Sequence, residues 1–144
     1  EPSRLKPGPE GSWPLRFDRL VQPGLDKHCV TCHGPNGKEP AAWQFDLTAA
    51  RSYDNLLTYA DKDLEKMVFE RDRSIVGQMP ARNSKLMRLL LSAEGHYGVR
   101  LEAEDLQRLT TWMDTYAQRL GHFSDQQEAE LLQLREQLAP MLEQ

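Results

Sequence analysis

The chain has 144 residues, a formal net charge of −4 and two cysteines. A chain of this length can bury about two-thirds of the surface that its unfolded form exposes, so we expect a single domain. Acidic and basic residues are mixed throughout, without the basic stripe of a nucleic-acid-binding protein, and no apolar run is long enough to cross a membrane. The sequence therefore argues against a nucleic acid partner and against a membrane span.

The N-terminal part of the chain divides into a proline-rich leader and a helical stretch. Residues 1–14 are rich in proline and glycine, which predicts a flexible leader or linker. The chain begins with Glu1 rather than methionine, as expected of a processed mature form or of a segment from a longer protein. Apolar residues then recur at near-helical spacing over 15–27, and Pro23 predicts a helix in two pieces or a kink at Gln22.

Both cysteines lie in the segment His28-Cys29-Val30-Thr31-Cys32-His33, which contains the pattern C-x-x-C-H. This pattern is typical of covalent haem attachment, in which each thiol adds to a vinyl group and the histidine binds the iron. Two intervening residues place the sulfur atoms about one helical turn apart, which matches the separation of the two vinyl groups. The motif predicts one haem c bound through Cys29 and Cys32, with His33 as the proximal iron ligand.

Three other uses of the cysteines fit the sequence less well. A structural zinc site would need two further ligands, usually from a second C-x-x-C or H-x-x-x-H knuckle, and the sequence has neither. A thioredoxin-like redox pair would need a βαβ context, whereas the surroundings are helical and loop-like. A disulfide between Cys29 and Cys32 would close a short, strained ring and leave His33 without a role.

The residues after the motif predict a loop followed by short helices. Turn-forming residues continue to about Asp46, and we expect Trp43 and Phe45 in this loop to pack on the porphyrin rather than face solvent. Helical periodicity predicts helices at about Ser52–Ala60, Asp63–Arg71 and Ser84–Ala93. No stretch alternates with strand period for more than a few residues, so the sequence predicts an all-α domain.

The strongest helical pattern is Glu102–Leu120, with acidic residues in its first turn. Its apolar stripe consists of Leu106, Leu109, Trp112, Met113, Tyr116 and Leu120. We expect this helix to cross the one that carries Phe17 and Leu20, as first and last helices do in small cytochromes c, with Trp112 at the crossing.

A further helix follows the predicted haem domain. Ser124-Asp125-Gln126-Gln127 is a capping box, and the helix is expected to run to about Leu142 with Leu131, Leu134, Leu138 and Met141 on one side. This face either packs back on the domain or serves as a docking or dimer face. The predicted organisation is a leader over 1–14, a monohaem domain over 15–121 and a C-terminal helical extension over 122–144.

Two residues are candidates for the distal iron ligand. Met79 precedes a proline in Gly77-Gln78-Met79-Pro80, and His96 lies in Gly95-His96-Tyr97-Gly98, where glycines allow close approach to a haem. In class I cytochromes the distal ligand lies a few residues before the last core helix. His96 is six residues before Glu102, whereas Met79 is twenty-three before it, so we prefer His96, with Met79 or an open iron as alternatives.

The sequence predicts less about the remaining polar residues. We expect His28 near the haem or in solvent, and His122 at the surface. Arg51, Arg71, Arg82 and Lys85 are candidates to pair with the haem propionates.

Two runs resemble the C-terminal cytochrome c region of proteins related to the hydrazine synthase alpha subunit. They are WPLRFDRLVQPGLDKHCVTCH, ending at His33, and SKLMRLLLSAEGHYGVRLEAEDLQRLTTWMDTYAQRLG, over Ser84–Gly121. The more specific element is GHYGVRLEAEDLQRLTTWMD. The resemblance implies a class I cytochrome c-like domain in which His33 and His96 ligate one haem. The family's large upstream part, which holds the reactive haem of the synthase, is not in this chain, so we attribute no hydrazine chemistry to it.

These observations predict an electron-transfer protein, or an electron-transfer module of a larger oxidoreductase, rather than an enzyme. Two axial imidazoles leave the iron no open position and imply a lower potential than imidazole with thioether. Redox proteins are the expected partners, and haem attachment to C-x-x-C-H implies a periplasmic or otherwise extracytoplasmic location. The alternatives are a haem enzyme or gas-sensing domain with a displaceable distal ligand, and a zinc-stapled helical interaction domain.

Overall fold

A computed structural model describes residues 15–37, 40–70, 75–120 and 124–142. Within these ranges the regular structure is helical, and the extended pairing is limited to an isolated antiparallel bridge between His96 and Val99. The prediction of an all-α domain is therefore confirmed for the described part of the chain. The leader over 1–14, Arg71 and His122 lie outside it.

Eight helices follow one another along the described residues. They are α1 (Phe17–Leu20), α2 (Gln22–His28), α3 (Pro40–Trp43), α4 (Ser52–Phe69), α5 (Pro80–Asn83), α6 (Lys85–Leu90), α7 (Ala103–Asp114) and α8 (Asp125–Leu142). None of them is both long and apolar enough to cross a bilayer, as far as the described residues extend.

The first helical stretch is in two pieces, as the sequence predicts. The break falls at Val21, between α1 and α2, and Pro23 lies in the first turn of α2. Proline is tolerated there because the first amides of a helix have no partner within the helix. The Gly24 amide donates to the Val21 carbonyl, which joins the two pieces.

The core is organised around an aromatic cluster that joins α1, α4 and α7. The Phe17 ring packs edge-on against Trp112, with centroids 5.1 Å apart, and against Tyr53, with centroids 5.3 Å apart. Trp112 is only 1% exposed. Rings in this arrangement contribute about 0.5–1.5 kcal/mol per pair beyond their buried area. The predicted crossing of the first helix with α7, and the place of Trp112 in it, are confirmed.

The end of α7 differs from the prediction. The helix stops at Asp114 rather than Leu120, and the chain reverses through Tyr116 (φ 67°) and Ala117 (φ 42°). This reversal allows the buried Trp112 indole N–H to donate to the Gln118 carbonyl at 2.9 Å. A buried N–H without an acceptor is costly, so the turn is stabilised by a contact that no helical continuation could make. Tyr116, predicted on the apolar stripe, is therefore exposed, and Ala117 is buried in its place.

The helices between the motif and α7 are shorter or more broken than their patterns suggest. Within α4 the backbone is non-helical from Tyr59 to Lys62, so two helical segments exist as predicted, although the second ends at Phe69. Ser84 caps α6 by accepting a hydrogen bond from the Met87 amide, and α6 ends at Leu90 rather than Ala93. The one-turn helices α3 and α5 were not predicted, because four residues carry no periodic signal.

Helix α8 begins as predicted but does not share in the main helix pairs. The Ser124 hydroxyl accepts a hydrogen bond from the Gln127 amide at 3.1 Å, which confirms the cap. The main packed pairs among the described helices are α1–α2, α1–α7, α4–α5, α4–α6, α5–α6 and α5–α7. None of the described α8 side chains is buried, so the expectation that α8 packs back on the domain is not met there.

A polar contact fastens the C-terminal end of α2 to the beginning of α7. His28 Nε2 lies 2.8 Å from Asp105 Oδ2, and both side chains are mostly shielded from solvent. Lys27 Nζ lies 2.7 Å from Glu102 Oε2 and 3.5 Å from Asp105 Oδ2. Burial by itself would raise the pKa of Asp105, but the hydrogen bond with His28 and the charge of Lys27 outweigh it, so this pKa lies below its usual value of 3.8. His28 therefore faces α7 rather than solvent.

The lowered pKa of Asp105 predicts a pH-dependent contribution to stability. An acid with a depressed pKa stabilises the fold above its unfolded-state pKa, and this contribution disappears as the pH falls through the folded-state value. We expect Asp105→Asn to lower the free energy of unfolding by about 1–3 kcal/mol near neutral pH, as for a hydrogen bond to a charged group. The difference from the wild type should shrink as the pH falls below 3.8.

Urea unfolding at several pH values measures this difference. Glu102→Gln is the matched control, because it removes an exposed partner of the same Lys27 and should change stability little. Equal effects of the two substitutions at all pH values would contradict a stabilising role for the charged Asp105 carboxylate.

Candidate functional site

The C-x-x-C-H segment continues α2 as a further helical turn. The Cys29 amide donates to the Leu25 carbonyl at 2.8 Å, and the His33 amide donates to the Cys29 carbonyl at 2.9 Å. Cys29 is half-buried, Cys32 is exposed, and both thiols are free. Two thiols and an imidazole are thereby presented from one short, hydrogen-bonded turn, as the attachment of a haem requires.

The orientation and protonation of His33 are set by backbone carbonyls. His33 Nδ1 lies 3.0 Å from the Phe45 carbonyl oxygen and 3.2 Å from that of Ala42. Carbonyl oxygens only accept hydrogen bonds, so Nδ1 carries the proton and Nε2 keeps its lone pair. This is the usual outer contact of a metal-binding histidine. Phe45 adds an edge-on ring contact at 5.9 Å, which further restricts the imidazole.

The loop after His33 folds back closely on the motif. The Leu47 amide donates to the His33 carbonyl at 2.7 Å, and the Trp43 indole N–H donates to the Gly37 carbonyl at 2.8 Å. Gly37 is buried, and a Cβ atom there would overlap the Cys32 carbonyl oxygen. Trp43 is partly exposed in this arrangement, and its packing on a porphyrin stays a prediction.

His96 is presented by a tight two-residue turn. The Val99 amide donates to the His96 carbonyl at 2.9 Å, and the two central residues have positive φ, 50° at Tyr97 and 78° at Gly98. These are the features of a type I′ turn. Gly95, at φ 71°, precedes His96 and approaches the Val99 carbonyl too closely for a side chain.

Arg100 and Ser92 brace the stem of this turn. The Arg100 guanidinium donates to the Ala93 carbonyl, and the Ser92 hydroxyl donates to the Gly95 carbonyl at 3.2 Å. Sequence reasoning did not single out Arg100, although it stands only four residues after His96. Burial, and then the charge of His33, lower the pKa of His96 from its usual value.

The fold brings His33 and His96 together. Their ring centroids are 5.8 Å apart and their planes are inclined by 23°. This separation exceeds the roughly 3.5–4.0 Å of direct contact between rings. Two imidazoles bound through nitrogen to opposite sides of one metal ion would have centroids about 6.4 Å apart, given bonds of about 2 Å and the size of the ring. The two imidazoles therefore lie close enough together to be candidates to hold one metal ion between them.

Met79 stands in a different setting. It is the N-cap of α5, its side chain is partly exposed, and its carbonyl accepts hydrogen bonds from the Arg82 and Asn83 amides. Of the two candidate distal ligands, His96 has its ring within 5.8 Å of the His33 ring, centroid to centroid. Arg51, Arg82 and Lys85 are exposed, and Lys85 Nζ donates to the Ala60 carbonyl at 3.3 Å.

The other uses of the cysteines find little support in the geometry. Burial, and then the charge of Cys32, raise the pKa of the Cys29 thiol to about 11. Redox-active cysteines of the thioredoxin type have lowered pKa values instead. No group of three or more His, Cys, Asp and Glu side chains that could hold a metal ion occurs in the described ranges.

The close approach at Gly37 predicts a substitution that disturbs the motif. A methyl group there would overlap the Cys32 carbonyl oxygen and lie 2.9 Å from Trp43 Nε1. We expect Gly37→Ala to lower the free energy of unfolding by about 1–3 kcal/mol, as overpacking does.

Gly24→Ala is the matched control. A Cβ atom at Gly24 would lie 3.5 Å from the Asp105 Cβ, which is ordinary contact, and alanine favours the helix. Thermal unfolding should therefore show a loss for Gly37→Ala and no loss for Gly24→Ala. Wild-type stability of Gly37→Ala would refute the close contact.

Comparison with known proteins gives no further guide to the site. No protein-family model, curated protein or solved structure matches the chain. The functional argument therefore depends on the residues themselves: two thiols on one turn and two imidazoles whose centroids are 5.8 Å apart.

Proposed function

We propose that this protein is a monohaem c-type cytochrome that transfers single electrons. Cys29 and Cys32 would hold the haem through thioethers, and His33 and His96 would bind its iron from opposite sides. The observation that carries the proposal is the near-parallel pair of imidazole rings, 5.8 Å apart, contributed by segments 63 residues apart in sequence.

The proximal side is supported by the organisation of the motif. The hydrogen bonds that continue α2 hold both thiols and His33 on one turn. The carbonyls of Ala42 and Phe45 keep the His33 proton on Nδ1, so that Nε2 is the atom available to a metal ion. These contacts form within the chain itself and restrict the orientation of the His33 imidazole.

The distal side is supported by the turn that carries His96. Its left-handed residues and the bracing by Arg100 and Ser92 fix the backbone that carries His96, whose ring centroid lies 5.8 Å from that of His33. When bound, a haem supplies a one-electron couple between ferric and ferrous iron. Because both axial positions would be filled by the protein, the site favours electron transfer over catalysis on a bound substrate.

The proposal extends to the fold, the partners and the cellular location of the protein. The crossing of α1 and α7 beside the motif supports a class I cytochrome c-like arrangement. We propose redox proteins as partners, and a periplasmic or otherwise extracytoplasmic location, because thiols are attached to haem in such compartments. The protein would act alone or as the electron-transfer module of a larger oxidoreductase.

One observation favours a second function, a haem enzyme or gas-sensing domain with a displaceable distal ligand. His96 lies on a two-residue turn rather than a helix, and its neighbour Tyr97 is 95% exposed. A turn of this kind can move without disturbing the core. Carbon monoxide that replaced a distal ligand readily would support this function.

Covalent haem attachment is the first test. We expect the protein, expressed with c-type maturation machinery, to keep its colour through denaturation in acid and extraction with organic solvent. Cys29→Ser and Cys32→Ser should each leave one thioether at most, and the double substitution should release all pigment. Complete extraction from the wild type, or no pigment at all, would refute the proposal.

Axial ligation is the second test. His96→Ala should convert low-spin iron to a high-spin or newly ligated form and increase carbon monoxide binding, because it removes one axial nitrogen. Met79→Ala is the control and should leave the visible spectrum unchanged. The opposite pattern would assign the distal position to Met79 and remove the basis for bis-histidine ligation.

A further inference from the structure

Helix α8 carries apolar side chains that nothing in the described domain buries. Leu131 is 50% exposed, Leu134 is 48% exposed and Met141 is 65% exposed. The helix takes part in none of the main helix pairs. Burying one such side chain stabilises a protein by about 1.5–3 kcal/mol, so this exposed face favours association.

The spacing of these residues is that of a coiled-coil seam. Leu131, Leu134, Leu138 and Met141 follow one another at intervals of three, four and three residues, which places them at a, d, a and d of two consecutive heptads. Pro140 falls at position c, so its ring does not enter the seam, but it removes a backbone hydrogen bond and bends the helix between Leu138 and Met141. Leu132, at position b, lies beside the seam rather than on it.

The charges that flank the seam indicate which partner it fits. Glu130 occupies position g and Arg135 occupies the following e position, and both are exposed. In a parallel two-stranded coiled coil, g of one helix faces e of its partner five residues on. Glu130 of each copy would then face Arg135 of the other, twice across a two-fold axis. In an antiparallel pair, g lies beside g and e lies beside e. Glu130 and Arg135 would then not face each other, and the complementarity of charge would be lost.

We propose that α8 binds a second copy of this chain as a parallel coiled coil, with Leu131, Leu134, Leu138 and Met141 at the interface. The described charges on α8, Glu130, Arg135 and Glu136, are acidic overall, whereas helices that bind membrane surfaces are rich in Lys and Arg. A parallel arrangement brings the two domains that precede Ser124 to the same end of the coiled coil. Two heptads form a short seam, so the dimer dissociates on dilution.

Sedimentation velocity of the whole chain over a range of concentrations tests the proposal. The wild type should shift from monomer to dimer as concentration rises. Glu130→Arg and Arg135→Glu each place like charges opposite one another and should each lower the association constant about three- to tenfold. The double variant Glu130→Arg with Arg135→Glu restores opposite charges and should return the association constant to near the wild-type value.

Leu134→Glu and Leu132→Glu form a matched pair on the same helix. Leu134→Glu puts charges into the seam and should abolish the dimer, whereas Leu132→Glu should leave it intact. The mass is read independently of haem, and an unchanged far-ultraviolet circular dichroism spectrum at low concentration shows that a variant has folded. A monomer at all concentrations, equal effects of the two leucine substitutions, or no recovery in the double charge variant would overturn the proposal.

Discussion

The contact of Phe17 with Trp112 is the interaction on which the site depends. Phe17 begins α1, whose continuation in α2 leads directly to the C-x-x-C-H turn, and Trp112 lies on α7, which begins seven residues after His96. By joining the two helices, this aromatic pair brings together histidines that are 63 residues apart. Closing so long a loop has an entropic cost, and the buried rings offset it.

Apolar and polar contacts have different roles around the site. Apolar packing positions whole helices, while the His28–Asp105 pair holds the end of α2, just before the first thiol, against the start of α7. Hydrogen bonds orient the His33 imidazole, because they are directional enough to distinguish one ring nitrogen from the other. The site residues themselves lie on turns and loops that this scaffold positions, as is usual for functional groups.

The turn that presents His96 contains one strained residue, Tyr97, whereas the longest run of described non-glycine residues with positive φ lies at Ala60, Asp61 and Lys62 within α4. Gly95, Tyr97 and Gly98 all have positive φ, and Tyr97 is not glycine, so its conformation costs about 1–2 kcal/mol. Strain of this kind persists where surrounding contacts over-determine the backbone, and it is frequent at functional sites. Here the contacts are the turn hydrogen bond from Val99 and the bracing of the stem by Arg100.

Local sequence alone was sufficient for a large part of the structure. The all-α class, the two-piece first helix, the cap at Ser124 and the place of Trp112 at the helix crossing followed from periodicity and turn chemistry, which act over a few neighbouring residues. The C-x-x-C-H motif is equally local, and its use in haem attachment is a proposal that follows from its spacing.

Tertiary structure decided the features that depend on distant partners. Helix α7 ends at Asp114 because the Trp112 N–H needs an acceptor that only the reversed chain provides. The rings of His96 and His33 lie near each other because α1 and α7 cross. His28 is held by Asp105, which is 77 residues away in sequence. The sequence by itself determined what can be encoded within one or two turns of chain, namely helical periodicity, caps and the thiol spacing. The pairing of buried polar groups and the exposure of the α8 face were decided only in the folded chain, because a donor, an acceptor or an apolar face has no fixed partner until distant segments are packed together.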